Sequence, residues 1–189
     1  MQAEALDGGF ADGPIDAARA FRAAMSVMAR PGRIERLAGA APPAPLSRAA
    51  GALILTLCDP ETPVHLAGAH DATALRDWIT FHTGAPLVGA ADAMFAVGAW
   101  DALQPLDAYR IGTSDYPDRA ATLIVEMPAL AAQGARLTGP GIKDSAHFSL
   151  PETGAFRRNA ALFPLGLDFF LTCGDQVAAL PRSTCVEDI

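Results

Sequence analysis

Two short apolar runs constrain this chain more than any other feature. AMFAVGAW (93–100) and AATLIVEM (120–127) are apolar almost throughout. A strand with one wet face alternates apolar and polar residues, whereas a strand buried on both faces does not. Both runs therefore read as central strands of a covered sheet. ARLTGP (135–140), PVHLA (63–67) and RIERL (33–37) read as further strands. LDFFLTCGDQVAALPRST (167–184) reads as a hairpin turning at Gly174-Asp175.

Helical segments lie between these strands. Ile15, Ala18, Phe21, Met25 and Met28 recur at helical spacing, with Pro14 in the first turn and Pro31-Gly32 as a stop. Ser47 can cap a buried helix running to about Cys58, although a short apolar run there is also compatible with a strand. From 71 to 83, Asp71 suits the N-cap, Leu75, Trp78, Ile79 and His82 share one face, and Gly84 ends the helix. A last helix is expected within PETGAFRRNAALFP (151–164), closed by Pro164. The pattern predicts an α/β fold, a mixed β-sheet flanked by helices. Residues 1–13 read as a loose lead-in and 14–189 as a single α/β domain.

Charge excludes some partners. Fourteen basic residues against 21 acidic ones give a net charge of −7, without a basic cluster. No nucleic-acid or anionic-membrane partner is expected from such a surface. The N-terminus carries no basic segment ahead of an apolar one, and the apolar runs are too short to span a bilayer. Cys58, Cys173 and Cys185 are odd in number and widely spaced. Reduced thiols in a cytoplasmic protein are the plain expectation.

No catalytic motif is complete. LTGPGIKDSAHF (137–148) has Asp144 where a dinucleotide loop needs its third glycine, and the chain has no Gly-Lys pair for a Walker loop. Gly139, Gly141 and Lys143 are the ligand-binding candidates, either as an anion nest or, more simply, as a rigid turn. Lys143 is the single lysine, so a Schiff base could form only there, and Asp144 beside it favours the charged ammonium. His65, His70 and His82 with Asp59 and Glu61 lack any recognised metal-ligand spacing, so no metal is expected. GTSDY (112–116) matches a nucleophile elbow only as far as Ser114.

Six motifs occur in order: FRAAMSVMARPG (21–32), LTLCDPETPVHLA (55–67), WITFHTGAP (78–86), LTGPGI (137–142), FPLGLDFFL (163–171) and ALPRST (179–184). Together they resemble the PhnH family, the H subunit of the bacterial carbon–phosphorus lyase system. Ser183 stands where the family pattern has threonine. The resemblance implies a fold similar to pyridoxal-phosphate-dependent transferases but without the cofactor, and a homodimer when isolated. It implies a non-catalytic structural subunit of a core complex with the G, I and J subunits. That complex transfers a phosphonate to ribose C1 of ATP, and its J subunit later cleaves the carbon–phosphorus bond by iron–sulfur radical chemistry. This chain has no cysteine set for such a cluster. The alternative is a transferase-type enzyme acting on a nucleotide or phosphonate through the 139–143 loop.

Overall fold

The computed structural model describes residues 7–188. Residues 1–6 of the expected lead-in lie outside the described residues. Among the described residues, nine strands form two sheets: β1 (Glu35–Arg36), β2 (Val64–Leu66), β3 (Phe95–Ala99), β4 (Thr122–Glu126), β5 (Ala135–Thr138), β6 (Ala146–Phe148), β7 (Asp168–Cys173), β8 (Gln176–Leu180) and β9 (Cys185–Glu187). The larger sheet has the order β1-β8-β7-β4-β3-β2. Its β2, β3, β4 and β7 run parallel, and the β7–β8 hairpin and β1 add antiparallel strands. The smaller sheet, β6-β5-β9, is antiparallel. The mixed sheet matches the sequence pattern, including both central runs.

Each face of the large sheet has its own core. On one face Val97, Ile124 and Phe170 pack under three helices: α1 (Gly13–Ala29), α2 (Arg48–Leu57) and α3 (Thr73–Thr83). On the other, Leu123, Val125 and Phe169 pack against Trp100, the short helix α4 (Gly154–Ala160) and the smaller sheet. Trp100, Phe156 and Phe169 form a contiguous aromatic group there, with Trp100 and Phe156 stacked at 4.8 Å between centroids.

Local chemistry explains the helix ends. Ser47 Oγ accepts the Ala50 N–H at 3.1 Å, as an N-cap should, and α2 is a helix rather than a strand. Gly84 closes α3 at φ 69°, the left-handed region that glycine enters without steric cost. Asp71 does not cap α3 as its position suggested. The helix starts after Ala72, and the Asp71 carboxylate instead pairs with Arg76. The last helix is also shorter than 151–164, because a run of turns follows Ala160 before Pro164.

Helix α1 departs from the usual amphipathic arrangement. Its buried face is built of Ala20, Ala23, Ala24 and Val27. The larger apolar residues Ile15, Phe21 and Met25 lie opposite, 49%, 50% and 56% exposed. Small alanines let α1 approach the core closely, while the bulky stripe is left toward solvent.

Two polar joints tie the ends of β7. At its start, Asp168 accepts from the backbone N–H of Arg182 at 2.8 Å and pairs with the same residue's guanidinium, which also donates to the Pro117 carbonyl at 2.6 Å. At its end, Thr172 donates to Glu126 Oε2 at 3.1 Å.

The described part of the lead-in lies against α3. The indole N–H of Trp78 donates to the Asp7 carbonyl at 3.0 Å, and Phe10 packs against the helical core. Trp78 is fully buried. Trp78→Ala should therefore cost about 3–5 kcal/mol, through a cavity and a lost hydrogen bond. Denaturant unfolding measures it, and an unchanged midpoint would contradict the burial.

Candidate functional site

Gly139, Gly141 and Lys143 follow β5 in one tight turn, closed by the Ile142 N–H donating to the Gly139 carbonyl at 3.1 Å. Gly139 has φ +126°, and a Cβ there would sit 3.0 Å from the Ser183 carbonyl oxygen. Gly141 has φ +83°, and a Cβ there would sit 2.0 Å from the Ala29 carbonyl oxygen. The turn is thus wedged between the end of α1 and the segment leading into β9. Three of the six sequence motifs, around residues 29–32, 137–142 and 179–184, meet at this corner. Lys143 is exposed beyond it.

The histidines and their neighbouring carboxylates are dispersed. His65 shares an Nδ1 hydrogen bond with the Val88 carbonyl at 3.0 Å. His82 packs on Trp78, and Asp59 accepts from Thr62 at 2.7 Å within its own turn. His70 is buried, and burial lowers its pKa, so the neutral ring is favoured there. Among the described residues, no group of three or more His, Cys, Asp or Glu is placed to hold a metal ion. Burial, aided by the Asp59 charge, pushes the Cys58 thiol up to about 12, which leaves it a core thiol rather than a nucleophile.

Glu126 is a polar group that the sequence did not single out. Its Oε1 accepts the Ser47 N–H at 2.7 Å, where α2 begins. Its Oε2 accepts from Thr172, whose hydroxyl also approaches the Val125 carbonyl at 3.3 Å. Burial raises the carboxyl pKa, and the bonds from Ser47 and Thr172 oppose that rise. Both oxygens are occupied in joining β4 to α2 and β7.

A cavity of about 460 Å³ opens on the second face of the sheet, between residues 104–111 and α4 with the turn after it. Leu106, Ile111, Leu162 and Leu167 give it apolar walls, and Tyr109, Arg158 and Asp107 supply polar groups. Phe163 stands exposed beside Leu162. The cavity walls come from segments far apart in the chain: the sequence marked α4 and the stretch holding Leu167, but not residues 104–111. Among the described residues, no helix is long and apolar enough to cross a membrane.

A family model described as bacterial phosphonate metabolism protein (PhnH) matches residues 8–187. A Rhizobium meliloti (strain 1021) protein, named alpha-D-ribose 1-methylphosphonate 5-triphosphate synthase subunit PhnH, is 43% identical, with 98% of each chain covered. A Stutzerimonas stutzeri protein, named putative C-P lyase subunit protein HtxG, is 30% identical over 87% of this chain and 83% of its own.

Two expectations follow from the turn and from Glu126. Gly141→Val must leave the positive-φ region or strike the Ala29 carbonyl, so it should cost at least about 2 kcal/mol. Lys143→Ala, at an exposed position, should stay within about 0.5 kcal/mol of wild type. Equal melting temperatures for the two variants would refute the packing account.

A raised folded-state pKa at Glu126 means that the native state binds this proton more tightly than the unfolded chain. Its contribution is complete below the unfolded value and is lost as pH rises through the folded one. Glu126→Gln can keep both hydrogen bonds by reversing the one with Thr172. The variant should therefore gain on wild type in Tm as pH is raised from about 4 to about 7. A constant difference across that range would show that Glu126 carries no such linkage.

Proposed function

The chain belongs to the PhnH family of bacterial phosphonate metabolism proteins, and from that premise we propose that it is a non-catalytic structural subunit of a carbon–phosphorus lyase core complex. Its partners are the G, I and J subunits. Those subunits carry out transfer of the phosphonate to ribose C1 of ATP and later carbon–phosphorus cleavage. The observation that carries this reading is the 43% identity, along 98% of both chains, to a protein named as a subunit. In this role the 139–143 turn is a packing joint, and Gly139 and Gly141 serve the close approach of three segments. The mixed sheet, parallel at its centre with an antiparallel hairpin beyond, supports a relation to the pyridoxal-phosphate-dependent transferase fold. A cytoplasmic location accords with this role.

Self-association belongs to the same proposal. The exposed stripe Ile15, Phe21 and Met25 runs along one face of α1. Asp12 stands at the N-terminal end of that helix and Arg30 at its C-terminal end. Two copies packed antiparallel about a twofold axis bury both stripes and set each Asp12 toward the other copy's Arg30. The isolated chain is then a homodimer.

Co-expression with G, I and J tests the subunit reading. This chain should co-purify with them and be required for activity, while alone it should release no adenine from ATP and methylphosphonate. Failure to co-purify, or turnover by the isolated chain, would overturn it. Light scattering tests the dimer separately. Phe21→Glu should give a monomer with wild-type Tm, and an unchanged dimer would remove α1 from the interface.

A further inference from the structure

The cavity beside α4 has features that packing alone does not call for. Tyr109 is 6% exposed and lines the cavity, and its hydroxyl, paired with no described residue, keeps contact with solvent. A phenol whose ring is buried and whose hydroxyl stays wet offers a donor to whatever enters. Burial also raises its pKa, so it stays a neutral donor. Arg158 lines the same cavity. Its guanidinium meets Glu152 only at 3.7 Å, with the Arg158 side chain 77% exposed, so it is free to turn to another anion. Asn159, by contrast, is fully committed: its amide donates to the Leu167 carbonyl and accepts the Leu167 N–H, both at 2.8 Å. Asn159 therefore fixes the wall, and Tyr109 and Arg158 are left as the recognition groups.

We propose that this cavity is a binding site for a small organic anion. The compact apolar body lies against Leu106, Ile111 and Leu167, and the anionic head takes the Arg158 guanidinium and the Tyr109 hydroxyl. Volume agrees, since pockets of about 300–1,000 Å³ hold small organic ligands with mostly apolar walls and a few placed polar groups. An arginine at such a site suits a carboxylate or a phosphonate head, each with two or more oxygens for its forked donors. Asp107, the other charged group of the lining, is exposed to solvent. This class is read from the cavity walls and stands whether or not the chain is a complex subunit.

Calorimetric titration of the full chain tests it, with butylphosphonate, butanoate and inorganic phosphate as probes. At least one of the organic anions should bind saturably, one per chain, and inorganic phosphate should bind at least about tenfold more weakly because it lacks the apolar body. Tighter butylphosphonate makes the site a phosphonate site and tighter butanoate a carboxylate site; either supports it. Arg158→Gln and Tyr109→Phe should each weaken binding about tenfold without shifting Tm. Leu162→Trp, at the exposed mouth, should block it. The proposal fails if neither organic anion binds saturably, if phosphate alone binds as tightly, or if all three variants bind like wild type.

Discussion

A parallel sheet needs apolar cover on both faces, because side chains alternate across it and both sets here are apolar. Ile124 and Phe170 point to one side, and Leu123, Val125 and Phe169 to the other. The first side is covered by α1 and α2, whose alanine-rich contacts let them lie close, and by α3 through Leu75, Trp78 and Ile79. The second side has no comparable helix. A helix of seven residues spans only about 10 Å, so α4 cannot cover it. The smaller sheet and a series of turns supply the rest. Irregular segments interlock less fully than helices do, and the cavity lies where residues 104–111 and α4 leave the sheet incompletely filled. The two faces of the sheet are thus covered by different means, helices on one and turns with a short helix and a second sheet on the other.

The polar groups at the strand ends act as joints. Asp168 and Arg182 hold the start of β7 to the end of β8 and to Pro117. Removing Arg182 would leave a half-buried carboxylate unpaired, a loss of about 3 kcal/mol. Glu126 does the corresponding work at the other edge, with both oxygens engaged by Ser47 and Thr172. A perturbed carboxyl is often a sign of catalysis. Here burial explains the raised carboxyl, and both oxygens are engaged in bonds within the fold that oppose the rise.

Legibility in the sequence followed the range of the forces involved. The two buried strands, the β7–β8 hairpin and the cap at Ser47 were readable because periodicity, turn chemistry and capping act within a few residues. The α2 segment, ambiguous from its apolar run, is decided by that cap. Asp71 misled because an aspartate before a helix can satisfy either an amide or a nearby arginine, and Arg76 took it. Strands β6 and β9 were not foreseen, since three residues carry too little pattern and both depend on pairing with β5. Glu126 and the cavity depend on contacts between segments tens of residues apart. The glycine turn lay between these cases. Its backbone need was visible in Gly139 and Gly141, but not the two neighbours that impose it.

The corner where the glycine turn meets Ala29 and Ser183 has a temporal side. Strand β1 pairs with β8, joining Glu35 to Val177. The turn at 139–141 closes on Ala29 and on Ser183, far apart in the chain. During synthesis, α1 and β1 emerge first, yet their seat is completed only when the hairpin and the 183–185 segment have left the ribosome. Such long sequence separations slow folding, because the loop entropy is lost before the contacts form. Until then α1 carries apolar residues on both of its faces, the alanine side awaiting the sheet and the Phe21 side awaiting whatever covers it. Until the 183–185 segment closes on the turn, α1 is therefore exposed to aggregation, and that segment acts as the latch that ends the exposure.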